Sequence, residues 1–444
     1  MTFQFTFDLN RCTGCQACVV GCWMENRAEQ AINWRQVHTF NGCRHPELPV
    51  FHLSLACHHC EDPACLRNCP ANAYTKDPNT GAVNINPERC IGCRYCTWAC
   101  PHDAPKFNVG LGTIEKCTFC KDRLQQGLEP ACVARCPVDA LGFEPSTPES
   151  RHQAIAGFPI SKLEPSISFV PLRREAGPEL GMAPSPSLVT RFLDQVLAVP
   201  PRKITLRGEW TLVVFTTLMA LLAGWFIAAL NDGPALPPLV FLGLGLPAML
   251  LSAWHLGRRE RAWRAILNLR SSWLSREIAL TSAFLGLGGL YLVFFSHQRV
   301  LAWVVAALGF TSLLAIDRIY RVALTEGKRS LHSGQALLNG HYLLGILGGL
   351  PILSLGGGGL KLALYLHRKW HFRRQGRAIH PWLSALRLFL GFFLPAALIL
   401  WHPILAAICA VLGDFVDRCE FYDELDIVTP QGELAVVLKA QLKH

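Results

Sequence analysis

Sixteen of the 17 cysteines in the first third of this 444-residue chain fall into four groups of four, and Cys43 stands apart. The first and third groups have the spacing C-x2-C-x2-C-x3-C that is typical of bacterial ferredoxins, and a proline follows the last cysteine of the third group. The second and fourth groups have a longer gap before their third cysteine. The groups are Cys12, Cys15, Cys18 and Cys22; Cys57, Cys60, Cys65 and Cys69; Cys90, Cys93, Cys96 and Cys100; and Cys117, Cys120, Cys132 and Cys136.

The spacing of these cysteines predicts iron–sulfur clusters. Three cysteines set two residues apart on a tight loop reach three corners of one 4Fe–4S cubane, whereas the fourth cysteine, three residues on, points towards a partner cluster. The groups are therefore expected to work in crossed pairs, and sixteen thiolates are enough for four clusters. Such clusters carry electrons one at a time, so the sequence predicts an electron-transfer domain.

Zinc is the main alternative for cysteine pairs of this kind. A structural zinc site needs four ligands in a closed tetrahedron, commonly from two C-x2-C pairs. It does not call for a third cysteine two residues further on or for a trailing Cys-Pro. Disulfides would need an oxidising compartment and would not use this spacing. A zinc-bearing membrane scaffold without redox function therefore stays as a remote alternative. A measurement of the iron content would distinguish it from an iron–sulfur protein.

The chain after about residue 208 is apolar enough to cross a membrane several times. The whole sequence is 51% hydrophobic with a mean hydropathy of +0.25, and its apolar residues concentrate in this half. A transmembrane helix needs about 20 apolar residues. The stretch 336–366 is compatible with one long helix or two short ones, so we expect seven or eight spans. The apolar segments are 210–230, 239–255, 278–295, 300–316, 337–355, 383–400 and 404–416.

These patterns predict an α+β ferredoxin-like domain with four 4Fe–4S clusters, followed by an all-α membrane bundle of seven or eight helices. We place the ferredoxin-like domain at 1–145 and the membrane bundle at 209–444. Between them, 146–208 is rich in Pro, Ser, Glu and Arg, a composition typical of an extended linker. No P-loop or dinucleotide-binding motif is found, which favours a non-catalytic subunit of an oxidoreductase. The net charge of +10 does not indicate nucleic acid, because arginines crowd the edges of the spans.

Two stretches of the cysteine-rich part resemble the iron–sulfur subunit of dimethyl sulfoxide reductase. They are Cys-His-His-Cys-Glu-Asp-Pro-Ala-Cys-Leu-Arg-Asn-Cys at 57–69 and the run at 90–101, within a likeness that covers about 5–145. The second half is similar to the membrane-anchor subunit of the same family. In that family the two subunits are separate chains, whereas here they are fused. The anchor likeness is carried by 255–257, 261–262 and 274–279, and more weakly by 413–422.

The resemblance implies which cysteines share a cluster. Each cluster would take three cysteines from one group and the fourth from another, whereas the spacing alone supports only the pairing of groups. The implied sets are Cys12, Cys15, Cys18 with Cys136; Cys117, Cys120, Cys132 with Cys22; Cys57, Cys60, Cys65 with Cys100; and Cys90, Cys93, Cys96 with Cys69.

The resemblance also implies a quinone site in the anchor. His255 and Glu277 match the anchor positions that are associated with quinol. Quinol oxidation releases protons, for which histidine is a suitable acceptor near neutral pH and a carboxylate at a span edge a suitable relay. Arg258 and Arg261 are placed to position the quinone. The alternative is that His255 only marks the polar end of its span and Glu277 only caps the next helix. No haem is expected, because no pair of facing histidines stands out.

The distribution of Lys and Arg predicts the orientation of the anchor. Short cytoplasmic loops carry an excess of these residues. The segment before the first span and the loops at 258–276 and 318–329 are rich in them, whereas the loops at 231–234 and 296–299 hold none and one. No secretory or twin-arginine leader precedes Cys12. We therefore expect a multi-pass protein of the inner membrane with its iron–sulfur domain in the cytoplasm, unlike the exported complex typical of the family.

Two directions of electron flow fit this organisation. In the first, quinol is oxidised and electrons pass to a molybdopterin-containing catalytic subunit that reduces an S-oxide or N-oxide. In the second, a cytoplasm-facing molybdoenzyme of the sulfite dehydrogenase type oxidises its substrate and this chain reduces quinone. The predicted orientation favours the second somewhat. In both, the partners are a catalytic subunit and a membrane quinone, and the substrate is chosen by the catalytic subunit.

Overall fold

The computed structural model describes residues 2–26, 32–42, 49–147, 163–173, 204–323, 332–374, 379–425, 429–432 and 434. These residues divide into two compact units. The iron–sulfur unit contains the described residues from 2 to 173 together with 429–432 and 434, and the anchor unit contains those from 204 to 425.

The iron–sulfur unit is built on a three-stranded sheet with strand β1 (Phe3–Asp8) in the middle. Strand β1 pairs antiparallel with the strand Leu141–Pro145 and parallel with the strand Ile167–Val170. The alternation Phe-Gln-Phe-Thr-Phe sends Phe5 and Phe7 into the core, where both are about 1% exposed. The sheet thus holds the two ends of the cysteine-rich segment together.

Between β1 and the strand Leu141–Pro145, the chain forms three short hairpins and five short helices, and the cysteines lie in or beside these elements. Each helix starts near a cysteine group, and the hairpins fill the space between groups. In chain order the elements are β1, α1 (Ala17–Asn26), β2 (Gln36–Phe40), β3 (Phe51–Leu55), α2 (Ala64–Arg67), β4 (Tyr74–Lys76), β5 (Val83–Ile85), α3 (Tyr95–Ala99), β6 (Lys106–Asn108), β7 (Thr113–Glu115), α4 (Lys121–Gln125), α5 (Ala131–Ala134), β8 (Leu141–Pro145) and β9 (Ile167–Val170).

Strand β9 lies inside the segment that the sequence predicts to be a linker. Ile167 pairs with Phe5, and both Ile167 and Phe169 are buried in the core of the iron–sulfur unit. The prediction of an extended tether is therefore wrong for 163–173. The physical reason is that four apolar-rich residues are enough to complete an open sheet edge, even within a polar, proline-rich context.

The anchor unit is all-α over its described residues. Its first helix begins at Leu206 because Thr205 caps it, accepting a hydrogen bond from the Gly208 backbone. The elements are α6 (Leu206–Leu230), α7 (Pro238–Trp254), a 3-10 helix (Arg259–Ile266), α8 (Trp273–Phe294), α9 (Arg299–Ile319), a 3-10 helix (Tyr320–Ala323), α10 (Ala336–Leu347), α11 (Pro351–Arg374), α12 (Pro381–Leu388), a π-helical turn (Phe389–Phe393), α13 (Leu394–Leu398) and α14 (Pro403–Glu424).

The stretch 336–366 forms two helices, α10 and α11. Helix α10 stops at Gly348 and Gly349, and Gly349 has a φ of +60° that side chains rarely adopt. Pro351 then begins α11, where its missing N–H costs nothing. The two helices pack closely, since a Cβ atom added to Gly345 would lie 2.4 Å from the Ser354 nitrogen.

Four helices in the described part of the chain are long and apolar enough to cross a membrane: Leu206–Leu230, Trp273–Phe294, Arg299–Ile319 and Pro381–Leu398. A fifth is obtained if Pro238–Trp254 and Arg259–Ile266, which meet at 106°, form one broken span. Helices α11 and α14 have 24 and 22 residues but carry several charges. These features are typical of an integral membrane protein, and the count of seven or eight spans stays a prediction.

Candidate functional site

The four C-x2-C turns share one backbone feature. In each turn the residue before the second cysteine has a positive φ, which is +71° at Gly14, +43° at His59, +68° at Gly92 and +60° at Phe119. Glycine adopts this conformation freely, whereas a bulky residue does so only where its surroundings impose it. The four turns are therefore built alike, and in two of them a bulky residue, His59 or Phe119, adopts this strained backbone conformation.

The side-chain rings of His59 and Phe119 are in contact. The centroids of the His59 and Phe119 rings lie 3.6 Å apart, and both residues are at most 1% exposed. The Val83 backbone N–H donates to His59 Nδ1 at 2.8 Å, and Phe119 packs edge-on against Phe5. This contact ties the second cysteine group to the fourth. Sequence reasoning missed it, because the contact joins two turns that lie 60 residues apart and has no local pattern.

The sixteen thiols fall into four neighbourhoods. Each neighbourhood is one of the sets that the family resemblance implies, and thiols within it interact with one another electrostatically. Interactions also occur between sets, from Cys18 to Cys22 and Cys132 and from Cys57 to Cys117. They are the Cys12 set (Cys12, Cys15, Cys18, Cys136), the Cys22 set (Cys22, Cys117, Cys120, Cys132), the Cys57 set (Cys57, Cys60, Cys65, Cys100) and the Cys69 set (Cys69, Cys90, Cys93, Cys96).

The buried thiols fit a group that supplies positive charge. Burial raises the pKa of the Cys22 thiol to about 12, and the neighbouring Cys132 thiol acts in the same direction. Burial also raises the pKa of the Cys60 thiol well above its ordinary value, again with help from its neighbours. A bound metal favours the thiolate form of such thiols, because its positive charge compensates theirs. The Cys57 set lines a single cavity, as a shared ligand would require.

Zinc and a 4Fe–4S cluster require different separations of their thiolate ligands. Over the described residues, no three Cys, His, Asp or Glu side chains converge closely enough to hold one metal ion. A zinc site draws its four ligands to one centre at about 2.0–2.3 Å. In a 4Fe–4S cluster each thiolate binds a different iron, so the four sulfur atoms stay apart around a common cavity.

Two buried cations lie among the thiols. Lys116 is 2% exposed, and its Nζ lies 3.5 Å from Cys57 Sγ and 2.8 Å from the Cys117 carbonyl oxygen, with the Val83 carbonyl oxygen as a third partner. Arg35 is also 2% exposed, and its Nη1 donates to Ser54 Oγ at 3.0 Å. Sequence reasoning missed both residues, because nothing in their local pattern distinguishes them from solvated charges.

In the anchor unit, the predicted quinone-site residues precede, lie in or follow the 3-10 helix between α7 and α8 in the sequence. His255 is half-buried and is the C-cap residue that follows α7, a position compatible with either interpretation of this residue. Arg258 and Arg261 lie 3.7 and 3.8 Å from the exposed carboxylate of Glu260. Glu277 is 2% exposed and sits inside α8.

The alternative role of Glu277 as a helix cap is wrong. Ser272 is the N-cap of α8, and its hydroxyl accepts a hydrogen bond from the Ser275 backbone at 3.4 Å. Glu277 lies further along the helix and faces the interior of the unit. A buried carboxylate with no capping role is costly to maintain in an apolar bundle, which favours a functional reason for its presence.

Glu277 lies near a buried tyrosine pair. The hydroxyls of Tyr320 and Tyr422 share a hydrogen bond, and Glu277 interacts electrostatically with Tyr320. The Arg418 guanidinium stacks 4.7 Å from the centre of the Tyr320 ring. The structure therefore brings the Glu277 region and the Arg418 region together around Tyr320. Sequence reasoning missed Tyr320, because a tyrosine at the end of an apolar helix is common at membrane edges.

A network of buried ion pairs joins α11, α12 and α14. Lys361 contacts Asp414 and donates to Asn339 Oδ1 at 2.8 Å. Arg387 reaches Asp414 at 3.1 Å and Asp417 at 3.2 Å. The network continues along one face of α14 towards its C-terminal end. Its further members are Arg368, Lys369, Glu420, Glu424 and His332.

Known protein families match both units. A model of 4Fe–4S dicluster domains matches residues 48–145, and a model of the DMSO reductase anchor subunit matches residues 235–354. An iron–sulfur unit joined to a helical membrane anchor defines a membrane-bound electron-transfer subunit.

Individual proteins that are similar to the iron–sulfur unit identify the family more narrowly. The B component of anaerobic dimethyl sulfoxide reductase from Haemophilus influenzae is 39% identical over 152 residues, which are 32% of this chain and 74% of that protein. The Escherichia coli K12 protein of the same name is 39% identical over 155 residues, 33% of this chain and 75% of that protein. The B component of sulfite dehydrogenase from Allochromatium vinosum is 34% identical over 157 residues, 31% of this chain and 65% of that protein.

The protein belongs to the dimethyl sulfoxide reductase family, and it unites the iron–sulfur subunit and the anchor subunit in one polypeptide. The resemblance inferred from the cysteine motifs and from the anchor segments is thereby confirmed.

Proposed function

We propose that this chain links the membrane quinone pool to a molybdopterin-containing catalytic subunit through four 4Fe–4S clusters. The observation that carries the proposal is the fourfold repetition of one turn, with thiols sorted into four neighbourhoods. Relatives of the iron–sulfur unit are named as parts of dimethyl sulfoxide reductase and of sulfite dehydrogenase. The chain itself is proposed to be non-catalytic.

The four sets of thiols would each hold one cluster, and a cluster when bound supplies a site that accepts and releases a single electron. The chain contributes the positions of the thiolates, the exclusion of water and the local charge. Burial of the ligands supports this role, since all of them except Cys15 are buried or half-buried. Several of these cysteines pack in one core with Phe5, Phe40 and Phe119. A dry, rigid environment keeps structural change on electron transfer small.

The quinone site is proposed to lie at the α7–α8 junction. His255 would accept a proton from the quinol hydroxyl, Glu277 would relay it, and Arg258 and Arg261 would orient the headgroup. The burial of Glu277 without a capping role and its proximity to Tyr320 support this assignment. Tyr320 and Tyr422 add hydroxyl groups suited to hydrogen-bond a quinone carbonyl.

Electron flow in either direction is compatible with this wiring. Quinol oxidation would serve a reductase of S-oxides or N-oxides, and quinone reduction would serve a dehydrogenase of the sulfite-oxidising type. The Lys and Arg distribution supports a multi-pass anchor with the iron–sulfur unit in the cytoplasm. A reporter at the N-terminus should then behave as cytoplasmic and one near Asp232 as periplasmic, and the reverse result would restore the exported arrangement.

The proposal is tested by following electrons between clusters and quinone. The anaerobically purified full chain is reduced with a viologen dye, and quinone reduction is measured. His255→Ala and Glu277→Gln should each slow this reaction, by ~100- to 10,000-fold for the loss of a proton-transfer group. His297→Ala, which removes an exposed histidine beyond the other end of α8, is the control and should have no effect. Normal quinone reduction by His255→Ala with unchanged iron content would refute the site.

A further inference from the structure

The two buried cations of the iron–sulfur unit occupy particular places among the thiols. Lys116 interacts with Cys57 and Cys65 of the Cys57 set and with Cys117 of the Cys22 set. It directly follows β7, and its own neighbour in sequence is Cys117. Lys116 therefore lies between two sets of thiols, at the place where an electron would pass from one to the other.

Arg35 occupies the corresponding place between another two sets. It interacts with Cys132 and Cys22 of the Cys22 set and with Cys18 of the Cys12 set. Its Nη1 is bound to Ser54 Oγ, which lies 3.5 Å from Cys18 Sγ, and its guanidinium stacks 4.7 Å from the Phe5 ring centre. The Cys22 set thus interacts with both buried cations.

The Cys69 set has different surroundings. The buried side chain that interacts with Cys96, Cys65 and Cys69 is the neutral Tyr74. Arg94, next to Cys93, is only half-buried and stacks 4.1 Å from the Phe107 ring centre. Among the described residues of this unit, Arg35 and Lys116 are the two Lys or Arg side chains that are buried. Fixed, unscreened positive charge is therefore distributed unequally over the four sets.

We propose that Lys116 and Arg35 tune the electron path: each is a buried fixed charge between two sets of thiolates, and each raises the reduction potentials of the clusters on both sides. The proposal rests on the four-cluster function proposed above. Reduction adds one negative charge to a cluster, and a cation a few ångströms away in a dry interior stabilises that charge. Water and salt screen an exposed charge but reach these two poorly. Both are positioning residues, since they act through the clusters.

The test uses the full chain, purified anaerobically, in redox titrations followed by electron paramagnetic resonance. Lys116→Gln and Arg35→Gln remove the charges but keep hydrogen-bond donors for the carbonyl and hydroxyl partners. Each should lower two of the four midpoint potentials, by at least a tenfold change in the reduced-to-oxidised ratio, which is ~59 mV for one electron. One signal should move in both variants, because the Cys22 set faces both cations, and one signal should move in neither.

The charge-conserving variants Lys116→Arg and Arg35→Lys should restore the potentials. Lys76→Met is the matched control, because Lys76 is partly exposed and its charge is already paired with Glu61 at 2.9 Å. Its effect should be much smaller than that of Lys116→Gln. Iron is counted first, since about sixteen irons in the wild-type chain establish the four-cluster function independently of the tuning.

Three results would overturn the proposal. The first is unchanged potentials in both charge-removing variants. The second is an equal shift of all four signals, or the same shift in Lys76→Met, which would point to a general change of the unit. The third is a shift of the potentials in Lys116→Arg and Arg35→Lys as large as in the glutamine variants, which would make the shape of the two side chains, and not their charge, the cause.

Discussion

The two units bury positive charge in opposite ways. In the anchor unit, Lys361 and Arg387 are fully buried and face the carboxylates of Asp414 and Asp417. In the iron–sulfur unit, Lys116 and Arg35 are also buried, but they face thiols, carbonyl oxygens and a hydroxyl. The anchor unit therefore balances its charges with its own side chains, whereas the iron–sulfur unit depends on thiolates that form with the metal.

This difference has a consequence for folding. A buried cation without a compensating anion is strongly unfavourable, as is a crowd of buried thiols that must ionise. Without iron the iron–sulfur unit keeps its cations and loses their negative partners. The buried cations of the anchor unit keep their carboxylate partners when iron is absent. We therefore expect the cofactor to control the folding of one unit and to leave the other unaffected.

The largest expected effect is the response to iron removal. Full-length chain produced without iron should show residues 2–147 open to proteolysis, while the described helices of the anchor unit from 206 to 424 stay protected in detergent micelles. Mass spectrometry of the fragments gives the measurement. Equal protection of both units without iron would show that the iron–sulfur unit folds on its own core and would contradict the comparison.

A smaller but specific effect is expected inside the anchor unit. Asp414→Asn leaves Lys361 and Arg387 with one carboxylate fewer, and breaking a buried ion pair in this way costs about 3–5 kcal/mol. Thermal unfolding of the purified chain, followed by circular dichroism at helical wavelengths, provides the measurement.

The matched control is the double variant Lys361→Met with Asp414→Leu. It removes both charges of one pair and leaves Arg387 with Asp417. Replacement of a buried pair by apolar side chains is often nearly neutral. The double variant should therefore be more stable than Asp414→Asn. If the single variant were as stable as the wild-type chain, the ion pairs would not be the basis of charge balance in this unit.

The smallest expected effect is a pH dependence within the iron–sulfur unit. The Gln431 amide lies 2.6 Å from the His38 ring, and burial lowers the pKa of His38 to about 4, with Lys106 lowering it further and Asp103 opposing the shift. Because the folded pKa lies below the usual 6.5, neutral His38 stabilises this contact above pH 6.5. That stability is lost as the pH falls towards about 4.

Residues 429–432 should therefore become more accessible to proteases as the pH falls from about 6.5 to about 4. His38→Asn should remove this dependence, and an acid-tolerant protease followed by mass spectrometry reports it. If residues 429–432 become equally accessible to the protease in His38→Asn as the pH falls, groups other than His38 cause the effect.

The sequence predicted the parts of the molecule whose chemistry requires a fixed spacing. Cysteine groups, apolar helices and the anchor motif around His255 are of this kind, since ligand geometry and bilayer thickness both restrict residue patterns. Strand β9 escaped prediction because four residues that pair with a distant strand have no local signature.

The two buried cations and the left-handed backbones of His59 and Phe119 were not predicted, for a different reason. Lys116 is an ordinary lysine by its local sequence, and only the folded chain places it, buried, between two sets of thiols. His59 and Phe119 have left-handed backbones in two turns that are far apart in the sequence, and their rings are in contact, which neither turn predicts by itself. Such features depend on contacts between residues that are distant in the sequence, and local sequence patterns do not predict these contacts.

The central claim is tested most directly by the metal content of the anaerobically purified full chain. Four sets of thiols predict about sixteen irons and about sixteen acid-labile sulfides per chain, in four signals that titrate one electron each. Cys93→Ser should lower the iron content mainly by removing the cluster of the Cys69 set. Stoichiometric zinc with little iron, and no visible absorbance, would contradict the account.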